Sequence, residues 1–195
     1  MSTELTKLIQ EKFASSVLAV HQYRGQQTVV LKREGLLSAA AFLKDDLALA
    51  FDFLIDLTCL DYLKFGKSQS SAPTLATPSP LPYYMQAKAT DEKWARGLSN
   101  DEYRFEMVYH FYSSSNNHRL RIKVPLSASD LRVDSLTSLW AAANWFEREV
   151  WDMFGVTFNG HPNLRRILMW EGFKGHALRK DYPVNRRQPL VGPLN

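Results

Sequence analysis

Residues 136–155, LTSLWAAANWFEREVWDMFG, decide how the chain divides. Leu136, Leu139, Trp140, Ala143, Phe146, Val150 and Phe154 recur at i, i+3, i+4 and i+7, the spacing that gathers apolar side chains on one face of a helix. Gly155 stops the pattern, as glycine does where a helix ends in a left-handed residue. Beyond it no long period survives, and Pro162, Gly172, Gly175, Pro183, Pro189, Gly192 and Pro193 punctuate the remainder. The spacing therefore predicts the longest helix over 136–154, a domain over 1–155 and an extended arm over 156–195.

Upstream, Leu5, Leu8, Ile9 and Phe13 predict a short amphipathic helix after Ser2 and Thr3. Val17–Tyr23 and Thr28–Lys32 are β-rich runs separated by Arg24, Gly25 and Gln26, a hairpin composition. After Gly35, a second helix is marked by Leu36, Ala39, Ala40, Leu43 and Leu47. Residues 51–60 read as a buried strand, with Phe51, Phe53, Ile55 and Leu57 on one face and Asp52 and Asp56 on the other. From Lys64 to Asn100 the periodicity dissolves into Ser, Ala, Thr and four prolines, Pro73, Pro78, Pro80 and Pro82. That is the composition of a loop or insertion. Tyr103–Tyr112 and Arg119–Val124 alternate again around Ser113, Ser114, Ser115, Asn116 and Asn117, a second hairpin. Hairpins and helices mixed in this order predict an α+β domain, with helices packed on a mostly antiparallel or mixed sheet.

The composition excludes several functions. Cys59 is the single cysteine, so the chain lacks the roughly four thiolates of an iron–sulfur cluster and any thiolate-rich zinc site. No glycine-rich phosphate loop follows a strand, which leaves nucleotide or flavin binding without support. The first eleven residues lack the apolar core of a secretory signal. Residues 36–60, the most apolar region, are interrupted by Lys44, Asp45, Asp46, Asp52 and Asp56, short of the roughly 20 apolar residues a spanning helix needs. A soluble chain, at most peripheral to a membrane, is expected.

The net charge of +4 is unevenly placed. Between His161 and Arg187, the basic Arg165, Arg166, Lys174, Arg179, Lys180, Arg186 and Arg187 face only Glu171 and Asp181. A positive tail on a near-neutral body suits an acidic complement: a protein, a phosphate backbone or anionic lipid headgroups. The tail also carries Trp151, Phe154, Phe158, Leu164, Ile167, Leu168, Met169, Trp170, Phe173 and Tyr182, too much apolar surface for a disordered segment. It must be buried, either on its own domain or on a partner, and aromatics mixed with arginines suit a protein interface. No DNA- or RNA-binding motif accompanies these residues, which weighs against a nucleic-acid module.

Glu147, Glu149 and Asp152, with His161 and His176, could form a metal site or an acid–base set. On a helix, however, positions 147 and 149 point about 200° apart, so one of them faces away. Arg148 stands four residues before Asp152, at ion-pairing distance on one face. The reading adopted is structural: Glu147, Arg148 and Asp152 fix the helix-to-arm junction, and His161 and His176 bond to backbone or carboxylates at turns. No catalytic, cofactor-binding or metal-binding residue is expected on this chain.

The run Glu147-Arg148-Glu149, Asp152-Met153-Phe154-Gly155, Gly160-His161-Pro162, Leu164 and Arg166-Ile167-Leu168 resembles the signature segment of one family of respiratory complex I, that of its C or thirty-kilodalton subunit. Gly175-His176 and Leu178-Arg179-Lys180-Asp181-Tyr182-Pro183 resemble its second landmark. The resemblance is sharp from Trp145 to Pro183 and matches by pattern upstream. Ala177 departs from the proline usual after that histidine, and the 64–100 stretch looks long for the family.

The resemblance implies a non-catalytic, cofactor-free component of the peripheral arm of the proton-translocating NADH:quinone oxidoreductase. In that enzyme electrons pass from NADH through FMN and iron–sulfur clusters on partner subunits to quinone. It further implies an arm that wraps the quinone-site D subunit, contacts to the B and I subunits, and a peripheral place on the cytoplasmic side of the bacterial inner membrane. Arg165, Arg166, Arg179 and Lys180 would then pair with acidic groups on the D subunit, with Asp181 at the same interface. A homologous component of a membrane-bound hydrogenase or another complex I-like dehydrogenase is the neighbouring reading.

Overall fold

The computed structural model describes residues 2–63 and 103–183, together with Asn185 and Gln188. The stretch expected as a loop over 64–100 lies outside the described residues. Helix α1 spans Ser2–Lys12, β1 Val17–Tyr23 and β2 Gln26–Leu31. A single 3₁₀ turn, Arg33–Gly35, leads into α2, Leu36–Asp45. Then come β3 (Phe53–Asp61), β4 (Phe105–Ser113), β5 (His118–Leu126), β6 (Arg132–Asp134), α3 (Ala143–Phe154) and β7 (Thr157–Asn159).

Five strands form one sheet in the order β1-β2-β5-β4-β3. Only β2 and β5 run parallel; the other neighbours are antiparallel. The expected α+β class with a mixed, mostly antiparallel sheet is what forms. The β1–β2 turn places Arg24 at φ +49° and Gly25 at φ +80°, the positive angles that a two-residue hairpin requires. Among the described residues, one apolar core joins three helices to one face of the sheet: Leu5 and Ile9 of α1, Leu36 and Leu43 of α2, and Val150 and Met153 of α3. Leu120, Ile122 and Val124 of β5 meet them there with Met107, Tyr109 and Phe111 of β4, the alternate residues of each strand.

Several expectations are corrected. Residues 136–142 are turns rather than helix: Ala143, Asn144 and Trp145 each donate to the carbonyl three residues back. Leu136 and Trp140 nonetheless reach the core, so the apolar stripe continues past the helix that it suggested. Leu8 is partly exposed on α1, and Leu47 lies beyond the end of α2, 95% exposed. In β3 the register slips between Leu54 and Asp56. This bulge leaves Ile55 as the extra residue and flips the pattern, so Leu54, Leu57, Cys59 and Asp61 face inward while Phe53 and Ile55 face out. Pro125 lies inside β5, opposite Glu106 of β4 but beyond the part paired with β2, so its missing N–H takes no bond from β2. The expected boundary at Gly155 falls within continuous structure, because β7 pairs with β6 and Val156 and Phe158 are buried in the core.

Candidate functional site

Helix α3 ends at Gly155, whose φ of +78° and N–H donated to the Trp151 carbonyl (2.9 Å) form a left-handed cap. A side chain here would also collide, since a Cβ would stand 2.5 Å from His176 Nε2 and closer still to Arg179 Nη2. The tail from 160 to 183 runs in turns and bends back across this helix end.

Asp152, with no exposed surface, organises the return. Its Oδ2 accepts the backbone N–H groups of Ile167 (3.1 Å), Leu168 (2.9 Å) and Met169 (2.8 Å). Its Oδ1 takes Arg166 Nη1 at 2.5 Å. Burial pushes this carboxyl up, but the N–H donors and Arg166 outweigh it and hold the group below its ordinary range. Arg166 continues outward through Nη2 to the carbonyls of Phe173 (2.8 Å) and Gly175 (3.2 Å). His176 Nδ1 donates to the Asp152 carbonyl at 3.0 Å, and burial, with Arg179 and Arg166 nearby, keeps its imidazole below the ordinary value.

Glu147 faces the opposite side of the junction, fully buried, where it accepts Ser135 Oγ–H (2.6 Å) and the Leu136 N–H (2.7 Å). Burial raises its carboxyl to about 7 against the pull of those two bonds. Glu149 points to solvent, as the helical geometry required of one of the pair. Arg148 is buried but does not pair with Asp152. Its Nε and Nη2 donate to the carbonyls of Arg165 and Arg166, both at 3.1 Å. Those carbonyls lie on the segment that Asp152 draws in, and Asp152 already has Arg166 as its cation.

A second clasp joins the tail to the sheet. Arg179 Nε donates to the Phe154 carbonyl (2.5 Å), its guanidinium 5.5 Å from the Phe105 ring centroid. The Lys180 N–H donates to Asp61 Oδ2 at 2.8 Å. Arg104 grips Asp61 through Nε (2.9 Å) and Nη2 (2.7 Å), and Asp181 through Nη1 (3.0 Å). Asp61 and Arg104 were not among the expected site residues. Asp61 shares the inward phase of Leu57 and Cys59, and a carboxylate at an apolar-phase position is the signal that could have marked it.

His161 Nε2 meets the Asn144 carbonyl (3.2 Å) and its Nδ1 accepts the Asn163 N–H (3.0 Å), so both nitrogens are used at a turn. The candidate acids and histidines thus bond to backbone and side chains of this chain, His176 to the Asp152 carbonyl among them, while Glu149 is left in solvent. Among the described residues no three His, Cys, Asp or Glu side chains gather as metal ligands, and no helix is long and apolar enough to cross a membrane. What the junction leaves exposed is mixed in character: Arg165 and Lys180, with Trp145 (60% exposed), Leu168 (59%), Leu178 (49%) and Trp170 (40%).

Fold and junction define a class: a mixed-sheet α+β domain in which the segment after α3 is bonded back over the end of that helix, with aromatic and basic residues exposed. The chain belongs to the family of the respiratory-chain NADH dehydrogenase 30 Kd subunit, whose model matches residues 29–188. It is 38% identical to the C subunit of the NADH-quinone oxidoreductase of Citrifermentans bemidjiense over 189 residues, 96% of this chain and 94% of that one. The corresponding protein of Legionella pneumophila is 35% identical, over 93% of this chain and 77% of its own. Among solved structures, a trypsin-resistant fragment of Nqo5 superposes with a TM-score of 0.57 at 29% identity, covering 84% of this chain and all of the fragment. A chain of an archaeal membrane-bound sulfane sulfur reductase shares the fold, with a TM-score of 0.64 at 18% identity over 94% of this chain and 86% of that one.

Proposed function

We propose that this chain is a cofactor-free assembly subunit of the peripheral arm of NADH:quinone oxidoreductase, where FMN and iron–sulfur clusters on partner subunits carry electrons from NADH to quinone. Its main partner is the quinone-site D subunit, with further contacts to the B and I subunits, on the cytoplasmic side of the bacterial inner membrane. The observation that carries this reading is the division of labour at the junction. Every buried charge named there binds this chain's own backbone or side chains, while Arg165, Lys180, Leu168, Trp170 and Leu178 are left facing outward. Aromatic and aliphatic anchors rimmed by cations suit a protein interface with an acidic edge. Arg166 and Arg179 drop out of the set that reaches the partner, because both are spent inside the chain.

Purifying the native complex through a tag on this chain tests the proposal. The expected companions are the D, B and I subunits, with NADH:quinone turnover in the purified complex and no visible absorption from this chain alone. The second reading is a homologous subunit of a related membrane-bound hydrogenase or of another complex I-like dehydrogenase. Recovery of a hydrogenase large subunit with nickel ligands would establish that reading and overturn the first.

A further inference from the structure

The sheet face turned away from the helices carries a polar row that the junction does not use. Register sets Asp56 of β3 beside His110 of β4, His110 beside Arg121 of β5, and Arg121 beside Thr28 of β2. Leu120 and Ile122 enter the core, so Arg119 and Arg121 project together from the opposite face of β5. The Arg119 guanidinium lies 5.6 Å from the ring centroid of Tyr112, its cross-strand neighbour. Asp56, His110, Arg119 and Arg121 line an open cavity of about 290 Å³ together with Ile55 and Gln26.

The wall of this cavity is electrostatically incomplete. Arg121 Nη2 donates to Gln26 Oε1 at 2.9 Å, but its Nε is buried and has no acceptor among the described residues. A buried donor left in that state costs about 1–3 kcal/mol. Two guanidinium groups and an imidazole face a single carboxylate, and that carboxylate, Asp56, already accepts the Leu57 N–H at 2.8 Å. We infer that the cleft is an oxyanion site, in which a phosphate or carboxylate group is held by the Arg121 and Arg119 guanidinium groups against His110. Planar guanidinium forks match the paired oxygens of either group.

His110 reports on the site. Burial lowers its affinity for a proton, Arg121, Arg119 and Lys123 of β5 lower it further, and Asp56 of β3 opposes them. A bound oxyanion offsets part of that positive field, so the imidazole must titrate at higher pH when the site is filled. NMR titration of the histidines in the full chain reads this directly, with His110 assigned by the His110→Gln variant. Inorganic phosphate and acetate are added in turn against chloride at constant ionic strength.

The expected result is a saturable rise in the His110 pKa of roughly 1 unit, weakened at least tenfold in Arg121→Gln and in Arg119→Gln. Unchanged signals from the other histidines report that each variant is folded. Asp56→Asn should tighten binding. Phosphate bound tenfold or more tighter than acetate assigns the site to a phosphate-bearing ligand; equal responses assign it to an acidic side chain of a docked protein. An unsaturable response, one equal to that of chloride, or one retained in full by both arginine variants overturns the site.

Discussion

Glu147 and Asp152 are two fully buried carboxylates on the same helix, and the chain treats them in opposite ways. Asp152 receives three backbone N–H groups and a guanidinium, and so stays charged. Glu147 receives one hydroxyl and one N–H, with no cation recorded on it, and its carboxyl rises to about 7. Neither carboxylate is exposed, but Glu147 lies deeper in the protein and has fewer donors. Asp152 is the anchor that draws the tail over the helix end, whereas Glu147 tethers the turn before the helix with a weaker and pH-sensitive hold.

The largest expected effect comes from removing the anchor. In Asp152→Asn the new amide NH₂ must face either Arg166 or the three N–H donors, leaving buried donors opposed to a donor. Loss of a buried charge partner costs about 3–5 kcal/mol, which urea unfolding would measure, and amide exchange over 164–179 should accelerate with it. Acid should act in the same direction. The Asp152 pKa is lowered in the folded state, so its contribution is present above the ordinary carboxylate range and is lost as pH falls through the depressed value.

Gly155→Ala comes next, at about 1–3 kcal/mol, because it meets both the positive φ and the crowding by Arg179 and His176. Thermal melts would record the loss. A smaller effect tests the contrast from the other side. Glu147→Gln can still accept from Leu136 and can donate to Ser135, while removing the buried charge. The raised pKa means that wild-type stability declines as pH climbs from about 4.5 through about 7. The variant should flatten that decline and match or exceed wild type at pH 8 by roughly 1–2 kcal/mol. A steeper decline in the variant would show that the carboxylate is paired after all. Smallest of all, Glu149→Ala and Arg165→Ala should each change stability by no more than about 0.5 kcal/mol.

The fold was largely readable because its elements follow plain periods, as in β4, β5 and the stripe from Ala143 to Phe154. Where a reading failed, a local event had changed the phase. The bulge at Ile55 turned Phe53 and Ile55 away from the face expected of them, while Leu57 and Asp56 kept theirs. The turns at 136–142 kept an apolar stripe that only looked helical. At the junction, sequence spacing separated Glu147 from Glu149 correctly, yet it could not see that Arg148 would spend its guanidinium on carbonyls 17 and 18 residues away. Asp61 was hidden for the same reason: its partners, Arg104 and the Lys180 N–H, are 43 and 119 residues distant. Long-range satisfaction of buried polar groups leaves little local trace.

These contacts also decide how the tail should be tested. Truncation after Gly155 would uncover Asp152 and remove Val156 and Phe158 from the core, so it would unfold the junction as well as delete the surface. The direct measurement alters outward side chains: Leu168→Ser with Leu178→Ser, introduced into the native complex, followed by quantifying the D subunit recovered with this chain and the NADH:quinone turnover. The chain should stay folded with an unchanged unfolding midpoint, while the D subunit and turnover are lost together. Full recovery of the D subunit with normal turnover would show that the outward patch is not the docking surface.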